Sequence, residues 1–380
     1  MDPDLTEELT APPEATFGGI GAATATLESM GGWPAILGRV LSRQDLTADE
    51  ASAALDDVLE GNATAAQIAA FVAGLRTKGE TVEEMTGLVR AMRAHGESFE
   101  VGVEVVDTCG TGGDRSGTIN VSTLSAFVVA GAGAVVCKHG GRAASSLAGS
   151  ADVLEALGVV IDLGPGGVRR CIDEAGIGFC FAPRFHPTMR SAAAVRRELG
   201  VTTTFNFVGP LVNPAGATRQ LVGVSDPAMA DKMLEVLETF GSVHAMVVFG
   251  HDGLDELSTT APSTLIESVR EQDGTCRHRR LEIEPTSLGL KLASLGDLAG
   301  GDAAQNAQLG LRLLDGERGP RRDLVCLNAA AGLVVAGLAD DLADGFEIAS
   351  AAIEDGNARS ALDRLVAVSN AAAEADLARH

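Results

Sequence analysis

A glycine run, three closely spaced cations and a pair of adjacent carboxylates are the residues of this chain whose spacing could do chemistry. The stretch from Val103 to Arg142 reads VEVVDTCGTGGDRSGTINVSTLSAFVVAGAGAVVCKHGGR. A β-branched run, Val103-Glu104-Val105-Val106, leads to Asp107 and then to a loop holding Gly110, Thr111, Gly112, Gly113 and Asp114. Asn120, Val121, Ser122 and Thr123 stand just ahead of a long apolar segment. Strand, glycine loop, polar caps and helix together make an anion site. Glycines let backbone N–H groups approach a phosphate, and a helix N-terminus adds unpaired donors and partial positive charge. Lys138, His139 and Arg142 follow as three potential cations. Asp114 cannot bind phosphate itself, so it points to hydroxyls or a metal. The Gly-Lys-Ser/Thr end of a P-loop is absent, and so is GxGxxG within the loop, which argues against both nucleotide folds. A purely structural turn is the competing reading.

A second constellation begins at Phe185-His186-Pro187, which opens a helix bearing Arg190, Arg196 and Arg197. His186 and Arg190 are four apart and share a helical face, with Arg196 close to that face again. A solvated basic helix is the alternative. Asp255-Glu256 in Gly-Leu-Asp-Glu-Leu-Ser is the metal candidate, because adjacent carboxylates can both reach a cation from a loop. Magnesium prefers oxygen ligands and keeps waters, so these two with Ser122 would suit it. An exposed acidic loop is as good a reading of the residues alone.

The elements that must position these groups follow from composition and rhythm. The chain has 380 residues, 46% of them hydrophobic, and 46 glycines, which fits an α/β protein with many tight turns and more than one domain. Its net charge of −23 repels nucleic acid and anionic membranes, so neither is an expected partner. A polyphosphate ligand would need a local positive pocket or a divalent cation. Cys109, Cys137, Cys171, Cys180, Cys276 and Cys326 show no CxxC pair and no zinc spacing, and read as reduced thiols of a cytoplasmic protein. The acidic, Pro-rich start is unlike a signal peptide. The apolar run Leu124 to Cys137 is too short to span a bilayer.

Residues 1–30 read as a flexible tail. Residues 31–102 read as a helical domain, joined by the helix around 187–199. Three capping boxes follow one another there: Thr47/Glu50, Thr64/Gln67 and Thr81/Glu84. Residues 103–380 read as an α/β domain whose strands alternate with helices, giving a mostly parallel sheet with flanking helices. Expected strands are 103–106, 159–162, 178–182, 221–225 and 244–249. A hairpin over 264–283 turns at Asp273-Gly274, and Ala-rich helices follow Asp302.

DTCGTGGD, TINVST and KHGGR resemble the phosphoribosyl-pyrophosphate signatures of the anthranilate phosphoribosyltransferase family. The resemblance continues through FAPRFHPTMRSAAAVRRELG, FNFVGPLVNPAGA, GLDELS, GGDAAQNA and LNAAAGLVVAG, so it runs from about Trp33 to the C-terminus. It implies the nucleoside phosphorylase/phosphoribosyltransferase-like fold, a homodimer and Mg2+. It further implies a pentosyltransferase of tryptophan biosynthesis that moves 5-phosphoribosyl from phosphoribosyl pyrophosphate to the amine of anthranilate and releases pyrophosphate. Lys138, Ser122, Asp255 and Glu256 would then be catalytic, with Ser122, Asp255 and Glu256 on the metal. The donor would lie on Gly110, Thr111, Gly112, Gly113, Asp114, Thr118, Asn120, Ser122, Thr123, Lys138, Arg142, Ser145 and Ser150. The acceptor would lie among Gly110, His139, Gly141, Ala182, Pro183, His186, Met189, Arg196 and Gly209, with Arg196 facing its carboxylate. One departure stands out: the family's Lys-His-Gly-Asn-Arg has Gly141 in place of Asn here. That leaves open a substituted or different aromatic acceptor. A pyrimidine nucleoside phosphorylase and a non-catalytic sensor are the rivals from other classes.

Overall fold

Threonine caps build the first part of the chain. In the computed structural model, which describes residues 26–143 and 147–378, Thr47, Thr64 and Thr81 each accept the amide of the residue three positions on. Glu50, Gln67 and Glu84 return the bond to the cap backbone, so all three capping boxes close. They start the helices Ala48–Leu59, Ala65–Lys78 and Val82–His95 by satisfying amides that no helix can pair internally. The inward faces bury Ile68, Phe71, Val72 and Leu75, then Met85, Leu88, Val89 and Met92. Trp33, on the preceding helix Gly32–Leu41, meets Phe71 edge-on at 5.7 Å. Gly87 lets two helices cross closely, since a Cβ there would lie 2.1 Å from the Ala48 carbonyl oxygen. Most of the expected tail, residues 1–25, lies outside the described residues. Its last part is built in: Leu27 is buried in the helical core and Glu28–Met30 forms a 3-10 turn.

The sheet has seven strands: β1 (Val106–Gly110), β2 (Val136–Gly140), β3 (Ile177–Phe181), β4 (Arg219–Gly223), β5 (His244–Gly250), β6 (Ser263–Arg270) and β7 (Cys276–Ile283). Their order is β3-β2-β1-β4-β5-β6-β7. The first five run parallel, and the hairpin β6–β7 adds antiparallel strands at one edge. Its turn carries Gly274 at φ +86°, where glycine is free of strain.

One expected strand is displaced and another is absent. β1 begins at Val106 rather than Val103 and extends through Asp107-Thr108-Cys109 to Gly110. Val103 is exposed and Glu104 pairs with Arg219 at 3.0 Å, so the run before Val106 is a surface approach. Residues 159–162 form no strand. Val159 and Ile161 are buried, but the Val160 amide donates to the Ser369 hydroxyl at 3.1 Å rather than to a neighbouring strand.

One core lies between the sheet and the helices Val121–Gly131, Pro165–Ala175, Pro320–Ala336 and Asn357–Leu377. The other merges the N-terminal helices with the opposite sheet face, so that Phe71 and Met85 share a cluster with Phe207, Val222 and Val247. Among the described residues, no helix is long and apolar enough to cross a membrane. β2 and β4 flank β1, and a chain that leaves β1 to both sides opens a crevice at the strands' carboxyl ends.

Thr81→Ala should lower the unfolding free energy by about 1 kcal/mol in urea titration through loss of one cap. An unchanged midpoint would show that the Glu84 side alone secures that helix.

Candidate active site

The glycine loop follows β1 into that crevice. Gly112 and Gly113 take φ of +63° and +88°, successive left-handed turns that only glycine adopts freely. The Thr111 amide donates to the Gly223 carbonyl at 2.9 Å. The Ser225 amide donates to the Thr111 hydroxyl at 3.0 Å, and the Ser225 hydroxyl donates to the Gly112 carbonyl at 2.8 Å. The Gly112 amide donates to Asp255 Oδ2 at 2.7 Å. Gly110 and Gly223 are required by this approach. A Cβ at Gly110 would lie 2.5 Å from Asp255 Oδ2, and one at Gly223 only 1.7 Å from the Asp255 carbonyl oxygen. Asp114 accepts the Ser116 hydroxyl at 2.5 Å, and Thr118 bridges to Ala299.

Lys138 is buried on β2, with Nζ donating to the Thr108 carbonyl and, at 3.2 Å, to the Ser122 hydroxyl. Burial pushes its pKa down, against the pull of Asp107, Cys109 and Glu256. Asp107 accepts the His139 amide at 3.1 Å and the Asn213 side-chain amide at 2.8 Å. Burial raises Asp255 to about 7, and the charge of Asp114 adds to the shift. Burial and then Asp255 push Glu256 well above the carboxylate range. The charges of Asp114, Asp255 and Glu256 thus act on one another beside Lys138, and carboxylate oxygens are the donors that a hard divalent cation takes. Among the described residues no three His, Cys, Asp or Glu side chains form a ready metal cage. Asp255 and Glu256 could therefore hold magnesium only with Ser122, water or substrate oxygens completing its shell.

The structure brings Thr123 and Ser150 together at 3.0 Å where the helices after β1 and β2 begin. Asn120 does not point a free amide at the loop. Its Oδ1 accepts from Asn306 at 2.8 Å and its Nδ2 donates to the Ala148 carbonyl at 3.0 Å. Arg142 is held by Asp152 at 2.8 Å and Glu155 at 2.5 Å, with its guanidinium over the Phe181 ring. Ser145 lies outside the described residues.

On the acceptor side the His139 and His186 rings lie 5.3 Å apart, both buried. His139 Nε2 and both ring nitrogens of His186 have no hydrogen-bond partner among the described residues. Burial lowers His186 to about 4. Burial, then His186 and Lys138, lowers His139 to about 3, while the Gly209 backbone opposes that shift. Both rings are neutral at pH 7. Arg196 is half-buried, and burial lowers its pKa; it lies over the Phe205 ring and has no carboxylate partner among the described residues. A guanidinium fork without a carboxylate partner suits a planar carboxylate. Arg190 does not share this face: it is exposed, because His186 at φ −123° and the 3-10 turn Pro187–Met189 interrupt the helix, which starts only at Arg190. Ala182 and Pro183 open the short helix Ala182–Phe185, and Met189 packs against the second core. Among the described residues, a Cβ on Gly141 would meet only the Ala182 Cβ, at 3.9 Å.

Four asparagine and serine side chains that organise the site carry no separate signal in the sequence. Asn206 joins the two halves, accepting from Arg196 and donating to the Thr111 carbonyl, each at 3.4 Å. Asn213 clamps Asp107 and the Cys137 carbonyl, Ser225 pins the glycine loop, and Asn306 holds Asn120. All but Ser225 lie in motifs quoted above, but a buried amide and a turn asparagine look the same in sequence.

A helical bundle beside a mostly parallel sheet, with a glycine loop at the strand ends, is the two-part architecture of a family of glycosyl transferases. The family described as "Glycosyl transferase family, a/b domain" matches residues 102–359, and "Glycosyl transferase family, helical bundle domain" matches residues 34–96. The anthranilate phosphoribosyltransferase of Thermomicrobium roseum is 52% identical over 90% of this chain and 98% of its own. That of Roseiflexus castenholzii is 49% identical over 87% and 97%. Among solved structures, the Thermus thermophilus anthranilate phosphoribosyltransferase superposes with a TM-score of 0.81 at 40% identity, covering 88% of this chain and 99% of that one. The Saccharomyces cerevisiae enzyme in complex with PRPP and Mg gives 0.79 at 25% identity, covering 89% and 98%. The chain belongs to the anthranilate phosphoribosyltransferases.

The neutral histidines generate a pH prediction. Their folded pKa values lie below the ordinary 6.5, so between pH 6.5 and about 4 the unfolded chain binds more protons than the folded one. Their contribution to stability is full above pH 6.5 and is lost as pH falls towards those values. His186→Gln should lose less stability than the wild type between pH 6.5 and about 4 in denaturant titrations at stepped pH. Equal losses would remove His186 from the account.

Proposed function

We propose that this chain transfers the 5-phosphoribosyl group of phosphoribosyl pyrophosphate to the amine of anthranilate, releasing pyrophosphate. The observation that supports this reading is that Asn206 ties two unlike groups together, accepting from Arg196 and donating to the Thr111 carbonyl. One group offers the glycine loop, Lys138 and the Asp255-Glu256 pair; the other offers Arg196 without a carboxylate, and the paired rings of His139 and His186 are neutral.

The anthranilate nitrogen is a poor nucleophile because its lone pair is delocalised into the ring. The barrier therefore falls on the leaving side. The bond from the anomeric carbon to the pyrophosphate oxygen breaks, the bond to nitrogen forms, and the amine proton leaves after attack. The Gly113 amide, and the Gly112 amide once it exchanges Asp255 for a phosphate oxygen, act with Ser122, Thr123 and Lys138 to stabilise the negative charge on the departing group. Magnesium held by Ser122, Asp255 and Glu256 would neutralise part of that charge when bound. Asp114 and Thr118 border the donor, and Ser150 faces Thr123 at its far end. Arg142 would reach a phosphate by exchanging it for Asp152 and Glu155. Arg196 orients the acceptor carboxylate, while His139, His186, Ala182, Pro183, Met189 and Gly209 enclose the ring and exclude water.

Gly141 supports a roomier acceptor pocket, so a substituted anthranilate is the second reading of the acceptor. Six free thiols support a reducing, cytoplasmic setting. We also read the chain as a homodimer through its helical part, where Ala65, Ala66, Ala69, Val195 and Leu199, with Glu198, line an open groove; sedimentation at twice 38.8 kDa is the expected result.

The direct test incubates the purified protein with phosphoribosyl pyrophosphate, Mg2+ and a panel of aminobenzoates, following anthranilate fluorescence and pyrophosphate release. Lys138→Ala and the double replacement Asp255→Ala/Glu256→Ala should each cut turnover by about 10²-fold or more. Near-normal turnover in both would refute the assigned roles. Gly141→Asn should lower KM for anthranilate roughly 2- to 10-fold, the worth of one hydrogen bond. Gly141 has no left-handed φ, and among the described residues a Cβ there makes only ordinary contact with Ala182 at 3.9 Å, so neither backbone nor Cβ forbids the variant. An unchanged or raised KM would show that the acceptor is held elsewhere.

A further inference from the structure

We infer that Asn306 is a positioning residue for the donor, holding the loops after β1 and β2 in register through the side chain of Asn120. Asn306 is 3% exposed and sits in the first turn of the helix Ala303–Leu314, remote in sequence from both loops. Its Nδ2 donates to Asn120 Oδ1 at 2.8 Å, and Asn120 passes the connection on by donating to the Ala148 carbonyl at 3.0 Å. Asn120 precedes the helix Val121–Gly131 but makes no side-chain capping bond to it. Its orientation is therefore set from outside, and with it the approach of Ser122 and Thr123 to the donor.

Asn306 is itself fixed by a strap of chain. Its Oδ1 accepts the Gly301 amide at 2.7 Å. The strap is zipped to the donor loop by backbone bonds, Gly300 amide to Gly117 carbonyl at 2.9 Å and Ile119 amide to Leu298 carbonyl at 3.1 Å. Gly300 leaves no clearance: a Cβ there would lie 2.5 Å from Asn306 Oδ1 and 2.9 Å from the Thr118 carbonyl oxygen. Behind the strap, Arg321 donates Nε and Nη2 to the Ala299 carbonyl at 3.0 and 2.8 Å. Strap, relay and loop form one hydrogen-bonded unit, in which Asn306 bonds the segment after β1 directly and reaches the segment after β2 through Asn120. Removing its donor frees Asn120 to rotate and separates the loops that must meet one polyanion.

This inference rests on the donor reading above. The test is steady-state kinetics of the full chain with the Asn306→Asp variant. Aspartate keeps an acceptor for the Gly301 amide but cannot donate to Asn120. KM for phosphoribosyl pyrophosphate should rise about tenfold, while kcat and KM for anthranilate stay within about twofold. In an Asn120→Ala background the same change should have almost no further effect on donor KM, because the relay is already cut. Asn306→Ala gives the same reading should the aspartate variant not fold, since the Asp302–Gln305 cap starts that helix independently. A fall in kcat with both KM values moving together would mean a merely structural asparagine and overturn the proposal. So would equal donor effects in the two backgrounds, unchanged donor KM in a folded variant, or failure of both variants to fold. A wild type that transfers beside an unaffected variant sinks this inference alone, whereas a wild type without transfer takes the donor reading down with it.

Discussion

The amide of Gly112 donates to a carboxylate 143 residues further along the chain, and much of the crevice is arranged around that contact. An amide aimed into an anion site must be satisfied, and here Asp255 satisfies it. A phosphate oxygen and the Asp255 oxygen cannot both occupy the same position on that amide. On the donor reading proposed above, a phosphate at this amide would release a buried carboxylate, which is stable as an anion only beside a positive charge. Donor and divalent cation would then be linked ligands. The glycines that end β1, β2, β4 and β5 serve the same end, because they let the loops converge without side chains between them.

The chain carries a net charge of −23 and still forms a crevice for polyanions. It does so with few formal charges. Lys138 is buried between Thr108 and Ser122, Arg196 lacks a carboxylate, and both histidines are neutral. The remaining attraction comes from backbone amides and a helix start, which keep their polarity at any pH. Exposed acidic residues leave the surrounding field unfavourable, so recognition is local and short-ranged.

Some of this was legible in the sequence. Capping boxes at Thr47, Thr64 and Thr81 depend on residues three apart, and all three form as spaced. The hairpin at Asp273-Gly274 is equally local. The displaced strand and the absent one were not legible, because strand identity depends on a neighbour. Val159-Val160-Ile161 has the composition of a strand and the burial of one, but Ser369 from a distant helix takes its amide. The basic helix misled for a related reason: spacing from His186 to Arg190 assumes a continuous helix, and the chain restarts between them. The glycine loop, Lys138 and the acidic pair were legible as residue types. Their mutual contacts, and the asparagines that secure them, required the fold.

The two glycines at Gly223 and Gly141 set opposite limits on how such a protein can diversify. At Gly223 the backbone of the acidic loop lies where any side chain would stand. At Gly141, among the described residues, a Cβ would make only ordinary contact with Ala182, and the backbone is not left-handed. Evolutionary drift is thus blocked at the floor of the crevice and permitted at its lip. Descendants of this chain could acquire a taste for new amines while remaining bound to one sugar phosphate.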